Sequence, residues 1–212
     1  MTRDREPFTS LVLYRLLKWF FVKPVLYSCL RGRLYGADNV PMKGPLIVVA
    51  NHASHLDSPL LASCMHRPVS FMAAHSLFQL PVLGWAMTAY GAYPVKREIA
   101  DHGAVRSAMM QLRDSWAVGI YLQGGRSPDG RVTSPKLGAA LVAAKTQVPL
   151  LPVSVWGTHK VLAKGLVLPR PYPVTVRIGE LIAPPSDDGK VALKAVTQRC
   201  VDEIHRLHDL GR

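Results

Sequence analysis

Apolar residues along this chain fall into short, uncharged runs separated by stretches with helical spacing. The runs Leu46–Ala50, Ser70–Ala73, Val118–Leu122, Leu150–Val155 and Val174–Ile178 read as strands, the first β-branched and free of charge, as in a sheet covered on both faces. Between them, Asp57–Met65, Leu83–Tyr90, Ala104–Ser115 and Leu137–Lys145 carry helical patterns. A final helix, about Val191 to Leu210, sets Leu193, Val196, Cys200, Ile204 and Leu207 on one face. Pro184 to Gly189 reads as the loop before it. Strands alternating with helices predict an α/β fold, a mostly parallel sheet flanked by helices on both faces.

The N-terminus departs from that alternation. Phe8 to Leu30 is rich in Leu, Val, Phe, Tyr and Trp but is interrupted by Arg15, Lys18 and Lys23. Those cations fall on one broad arc of a helix, with Leu11, Trp19, Phe20 and Val22 in the apolar remainder. Pro24 should break or kink the helix. A spanning helix needs about 20 mostly apolar residues, and no uncharged run of that length occurs. The broken apolar region and the lack of a small-residue cleavage site argue against a secretory signal. The segment is expected to lie in a membrane interface, with Trp19 and Tyr14 near the headgroups and the cations facing lipid phosphates; an amphipathic helix packed on the domain is the alternative. This divides the chain into an interfacial segment, 1–35, and one folded domain, 36–212.

Candidate chemistry starts where the first strand ends. Leu46–Ala50 runs into Asn51-His52-Ala53-Ser54-His55-Leu56-Asp57, a histidine with an aspartate five residues on. Side chains just past such a strand sit at the rim where open α/β sheets bind ligands. A histidine there with a carboxylate to fix its tautomer suits general-base catalysis. Ser54-His55-Leu56-Asp57 equally fits a helix N-terminus with Ser54 as cap.

Three further blocks follow in order. Phe71 to Arg97 contains Leu77-Phe78-Gln79-Leu80-Pro81-Val82-Leu83-Gly84, Gly91 and Val95-Lys96-Arg97. Ile120-Tyr121-Leu122 leads into Gln123-Gly124-Gly125-Arg126-Ser127, and Val148–Val155 into Trp156-Gly157-Thr158. Together, from about Gly36 to Gly179, they resemble the glycerolipid acyltransferases, the 1-acylglycerol-3-phosphate acyltransferase family, whose first block, N-H-x-S-x-x-D, is matched by Asn51, His52, Ser54 and Asp57. The resemblance implies fatty acyl transfer from a thioester to the hydroxyl of lysophosphatidic acid, giving phosphatidic acid for phospholipid biosynthesis. It implies His52 as base and Asp57 as its partner, with Asn51, Ser54, Arg97, Gln123, Gly124, Gly125 and Arg126 binding substrate. No cofactor is implied beyond acyl-CoA or acyl-carrier protein as co-substrate. The chain has no G-x-S-x-G elbow, in keeping with direct transfer without an acyl-enzyme.

Arg126 after two glycines suits a phosphate, since glycines let backbone approach and arginine offers a two-pronged donor; a surface turn with a solvated arginine is the alternative. Two positions depart from the family pattern. Gln123 stands where a glutamate usually opens the third block, and Ala74-His75-Ser76 replace a lysine and a glutamate ahead of Leu77-Phe78. These leave a second class open, a membrane-surface lipid-binding relative that has lost activity. Within the enzyme class, a lysophospholipid with a larger headgroup is the alternative acceptor.

Composition narrows the partners. At 212 residues and 49% hydrophobic the chain is one domain with a full core. Cys29, Cys64 and Cys200 are too scattered for a disulfide framework or zinc site, and are expected reduced and buried. His55, His66, His102, His159, His205 and His208 show no metal-ligand spacing, so no metal is expected. The net charge of +12 calls for an anionic partner. No nucleic-acid module is recognisable, which leaves a membrane surface, a lipid phosphate or a phosphate-bearing acyl carrier on the cytoplasmic face.

Overall fold

The computed structural model of the protein describes residues 8–89, 92–95, 102–162 and 170–212. Helix α1 (Phe8–Leu17) passes into two π-helical stretches, Lys18–Val22 and Val25–Cys29. Pro24 therefore distorts the helical course without ending it, the wider turns on either side accommodating a residue that lacks an N–H. There follow β1 (Arg33–Tyr35), β2 (Leu46–Ala50), α2 (Asp57–Cys64), β3 (Val69–Ala74), α3 (His75–Phe78), α4 (Pro81–Ala89), β4 (Tyr93–Val95) and α5 (His102–Arg113). The remainder is β5 (Ala117–Tyr121), α6 (Gly138–Thr146), β6 (Leu150–Trp156), α7 (Thr158–Val161), β7 (Thr175–Ile178) and α8 (Lys190–Asp209).

Among the described residues the strands form one sheet of seven, in the order β1-β7-β6-β2-β5-β3-β4. Every pairing is parallel except that of β6 with β7. The central strands are buried on both faces, and their alternation feeds two cores. Leu46, Val48 and Ala50 join Leu60, Leu61 and Cys64 of α2, together with Leu26 and Leu30. Ile47 and Val49 face the opposite way, toward Ala108 and Leu112 of α5, Ala139, Val142 and Ala143 of α6, and Val196, Cys200 and Ile204 of α8. Full burial of one such aliphatic side chain contributes about 1.5–3 kcal/mol.

The expected α/β sheet with helices on both faces is the observed fold. The expected strands and helices are present with ends shifted by one or two residues; Tyr90, expected to end a helix, lies outside the described residues. Two strands escaped sequence reasoning. β1 is three residues long with Arg33 and Tyr35 exposed, and β4 contains Pro94, which suits an edge strand alone. β7 runs antiparallel because the chain turns back where β6 ends, with Trp156 beside Thr175. β1 pairs with β7, so the segment 1–35 ends on a strand of the sheet.

Two expectations for the N-terminal segment need correction. Tyr14 does not sit at a headgroup level: it is 2% exposed, and its hydroxyl lies 2.6 and 2.5 Å from the carbonyl oxygens of Ala62 and Met65, which share its single proton. Lys18 turns inward with it, its ammonium donating to the Met65 carbonyl at 2.5 Å, and burial pulls its pKa down to about 8. The carbonyls at the end of α2 lack partners within their helix, and α1 and the π-helical stretch after it supply donors to them. Cys64 and Cys200 are free and buried, as expected, and burial pushes both thiols up to about 12.

Candidate active site

The turn after β2 holds the first block. Asp57 is the first residue of α2 and is fully buried. Its Oδ2 accepts from His52 Nδ1 at 2.8 Å and from the backbone N–H groups of Ala53 and Ser54 at 2.7 and 2.8 Å. Because an ionised carboxylate only accepts, the proton belongs on Nδ1, and Nε2 of His52 is left as a base. The His52 side chain is 19% exposed, while its partner Asp57 is fully buried.

The same bonds correct the capping alternative. Ser54 does not cap α2; its hydroxyl donates to the Leu162 carbonyl and accepts from Leu56 N, tying the turn to the loop beyond α7. Ser54 is also wholly buried, so it supports the turn and does not meet substrate. Asn51 is corrected in the same way. It is 0% exposed, donates to the carbonyls of Gly130 and Val155 at 2.6 and 2.9 Å, and accepts from Val155 N at 2.8 Å. Its amide is consumed in joining three segments, leaving no group for a ligand.

The third block lies beside His52. Ser127 N and Oγ both donate to the His52 carbonyl, at 2.8 and 3.2 Å. Gln123 holds the loop by donating to the Gly125 carbonyl at 2.9 Å and accepting from Thr133 N at 3.3 Å. Gly124 and Gly125 are exposed, and a Cβ at Gly125 would meet nothing within 4 Å, so the fold does not demand glycine there and the backbone is open to a ligand. Arg126 is half-buried and makes no hydrogen bond or ion pair among the described residues. Lys136 brings a second cation, its Cε 3.8 Å from where a Cβ of Gly124 would stand. Arg97, expected as another headgroup cation, lies outside the described residues.

A brace behind this loop went unread in the sequence. Gly130 has φ +82°, and a Cβ there would stand 2.9 Å from His208 Cε1, so only glycine fits. His208, at the end of α8, bonds to the Asp129 carbonyl and lies 3.2 Å from Ser154 Oγ. His205 Nε2 accepts from Val132 N, and Arg131 pairs with Asp209. Burial, then Arg131, pulls the His208 pKa below the ordinary histidine value. After β6, His159 on α7 also has its pKa lowered, by burial and then Lys160, with Asp129 and Asp57 opposing.

Ends of β2, β5 and β6 thus converge at the carboxyl edge of the sheet with a base, an open glycine loop and cations that pair with no group among the described residues. A family model described as Acyltransferase matches residues 31–156, more than half of the chain. The chain belongs to the acyltransferase family. It is 33% identical over 143 residues to the chloroplastic 1-acyl-sn-glycerol-3-phosphate acyltransferase of Brassica napus, covering 66% of this chain and 41% of that protein. Its likeness to the corresponding Arabidopsis thaliana protein is 34% over 143 residues, covering 66% and 40%. The chain therefore spans less than half the length of these two relatives. The crystal structure of the 1-acyl-sn-glycerophosphate acyltransferase PlsC from Thermotoga maritima is similar with a TM-score of 0.78 and 28% identity, over 92% of this chain and 79% of that one. No group of His, Cys, Asp or Glu among the described residues could hold a metal in this acyltransferase.

Proposed function

We propose that this acyltransferase moves a fatty acyl group from a thioester donor to the free hydroxyl of 1-acylglycerol-3-phosphate, producing phosphatidic acid. The observation that carries this reading is the His52–Asp57 pair bonded through its backbone to the loop that bears Arg126, which is unpaired among the described residues. Nε2 of His52 takes the hydroxyl proton as the oxygen attacks the thioester carbonyl. The carbon–sulfur bond then breaks, and the proton passes to the departing thiolate. Asp57 holds the imidazole and offsets the positive charge that forms on it. Arg126, with Lys136 and Arg97, meets the acceptor phosphate.

Acceptors of this kind reside in membranes, and the N-terminal segment, 1–35, suits a monotopic site on the cytoplasmic face, beside the catalytic domain 36–212. Phe8, Val12, Leu16, Trp19 and Phe20 are exposed by 40–79% and recur at helical spacing, an apolar ridge suited to lipid. No helix among the described residues is long and apolar enough to cross a membrane. The deciding experiment supplies purified protein with labelled acyl-CoA and acyl-carrier protein in turn, against a panel of lysolipids, and separates the products by chromatography. Labelled phosphatidic acid formed from lysophosphatidic acid is expected, and the productive donor is read from the same assay. Transfer only to lysolipids with larger headgroups would overturn the acceptor, and no transfer to any would overturn the enzyme.

A further inference from the structure

The His52 ring is held on a second side by a residue that the base–carboxylate pair does not include. Tyr121, the last residue of β5, lies with its ring centroid 3.9 Å from that of His52 and the planes only 12° apart. Ring contact of this kind follows from strand register. Tyr121 pairs with Ala50 in the parallel ladder, and His52 stands two residues beyond Ala50, so both side chains emerge on one face of the sheet.

The stack continues inward. Phe71 of β3 stacks on Tyr121 at 5.6 Å, and Phe71 itself fills the space over Gly119, where a Cβ would stand 2.1 Å from its ring. Gly119 lies on the same face as Tyr121, two residues earlier, so the missing side chain there is what admits Phe71 beneath the tyrosine. The outer edge of Tyr121 is fixed too, its hydroxyl 2.8 Å from Ser58 Oγ in the first turn of α2. Burial and the Asp57 carboxylate push the phenol well above its ordinary pKa, so the ring stays neutral.

We propose that Tyr121 is a positioning residue for the base: its ring, backed by Phe71 and tied to Ser58, fixes the plane of His52 while Asp57 fixes its rotation. A single Nδ1 bond leaves the imidazole free to tilt about it, and tilting moves Nε2 away from the attacking hydroxyl. The stack removes that motion. When His52 takes the proton, its positive charge also develops over the electron-rich face of the phenol.

The inference rests on the acyltransferase reading, and the test keeps the two apart. Kinetics of wild type, Tyr121→Phe and Tyr121→Leu are compared with thermal unfolding, and histidine ring protons are followed by NMR in ¹³C-histidine-labelled protein, His52 being assigned by its loss in His52→Asn. Tyr121→Leu is expected to lower kcat about ten- to a hundred-fold, as small misplacements of a catalytic group do, with both KM values held. Tyr121→Phe keeps the stack and is expected to stay within a few-fold of wild type. The His52 protons are expected upfield in wild type and Tyr121→Phe, under the ring current, and to return downfield in Tyr121→Leu. The proposal is overturned if Tyr121→Leu folds and keeps its kcat, or if Tyr121→Phe falls as far as Tyr121→Leu. Should Tyr121→Leu fail to fold, absence of the upfield shift in wild type overturns it. A wild type inert on every lysolipid would sink the proposed function while the ring shifts still judged the stack.

Discussion

The histidine end of the site and its arginine end are held in opposite ways. At the first, Asp57 is fully buried, one of its oxygens receives three donors, and a tyrosine ring lies flat on the imidazole. At the second, exposed Gly124 and Gly125 leave the backbone open, and Arg126 spends no bond within the described protein. Proton transfer needs a base placed to within a fraction of an ångström, so rigidity serves it. A phosphate brings its own strong acceptors, and a cation already committed to a carboxylate would have to break that pair first. Gln123 fits the second rule, since it braces the loop through Gly125 and Thr133 without a charge that would capture Arg126.

The largest expected effect breaks the rigid end. His52→Ala should lower acyl transfer by about a hundred- to ten-thousand-fold in a protein that still folds, because the hydroxyl loses its proton acceptor, with a smaller loss of melting temperature from the donor withdrawn from Asp57. Near-normal turnover in a well-folded variant would refute the mechanism. Asp57→Asn should come next, losing most activity because a neutral amide oxygen can accept the three bonds to Oδ2 but cannot offset the charge on a protonated His52, and losing stability by about 1–3 kcal/mol because its NH₂ would stand unpaired at the buried Oδ1 position. Denaturant unfolding alongside the assay checks both losses, and a variant as stable as wild type would show that the Oδ1 position takes a donor without cost.

The open end should respond differently. Arg126→Ala is expected to raise the acceptor KM about ten- to a hundred-fold, as loss of a charged hydrogen bond does, with the donor KM and melting temperature unmoved. A change confined to the donor KM would remove Arg126 from the headgroup site. A smaller effect is expected of Gln123→Glu, a few-fold shift in rate or acceptor preference, since the carboxylate cannot donate to the Gly125 carbonyl and competes for Arg126. If wild type were inert and Gln123→Glu active, the chain would be a disabled lipid-binding relative.

The smallest effect concerns the brace behind the loop. The folded pKa of His208 lies below its unfolded value, so the unfolded chain binds the proton more readily. The stability it contributes is present above about pH 6.5 and declines as pH falls through and below that value. Melting temperatures from pH 8 to 5 should show this decline, and His208→Asn should flatten part of it. An equal slope in the variant would exclude His208 as its source.

Much of this molecule was legible in order along the chain. Leu46–Ala50 reads as a buried strand because its short, uncharged run is rich in β-branched residues, and the spacing of His52 and Asp57 lets one turn bring them together. Short-range patterns of this kind depend on backbone period and local reach, which sequence states directly. Tertiary structure decided the rest. Asn51 and Ser54 carry the right groups for substrate, and only their burial against Val155 and Leu162, more than a hundred residues away, shows them to be internal struts. Tyr14 and Lys18 look equally suited to lipid until α2 presents its terminal carbonyls to them. Tyr121 had no local mark at all, since its meeting with His52 requires β2 and β5 to lie side by side in register. A polar side chain acts according to which partners reach it first, and those partners are set by packing between distant segments.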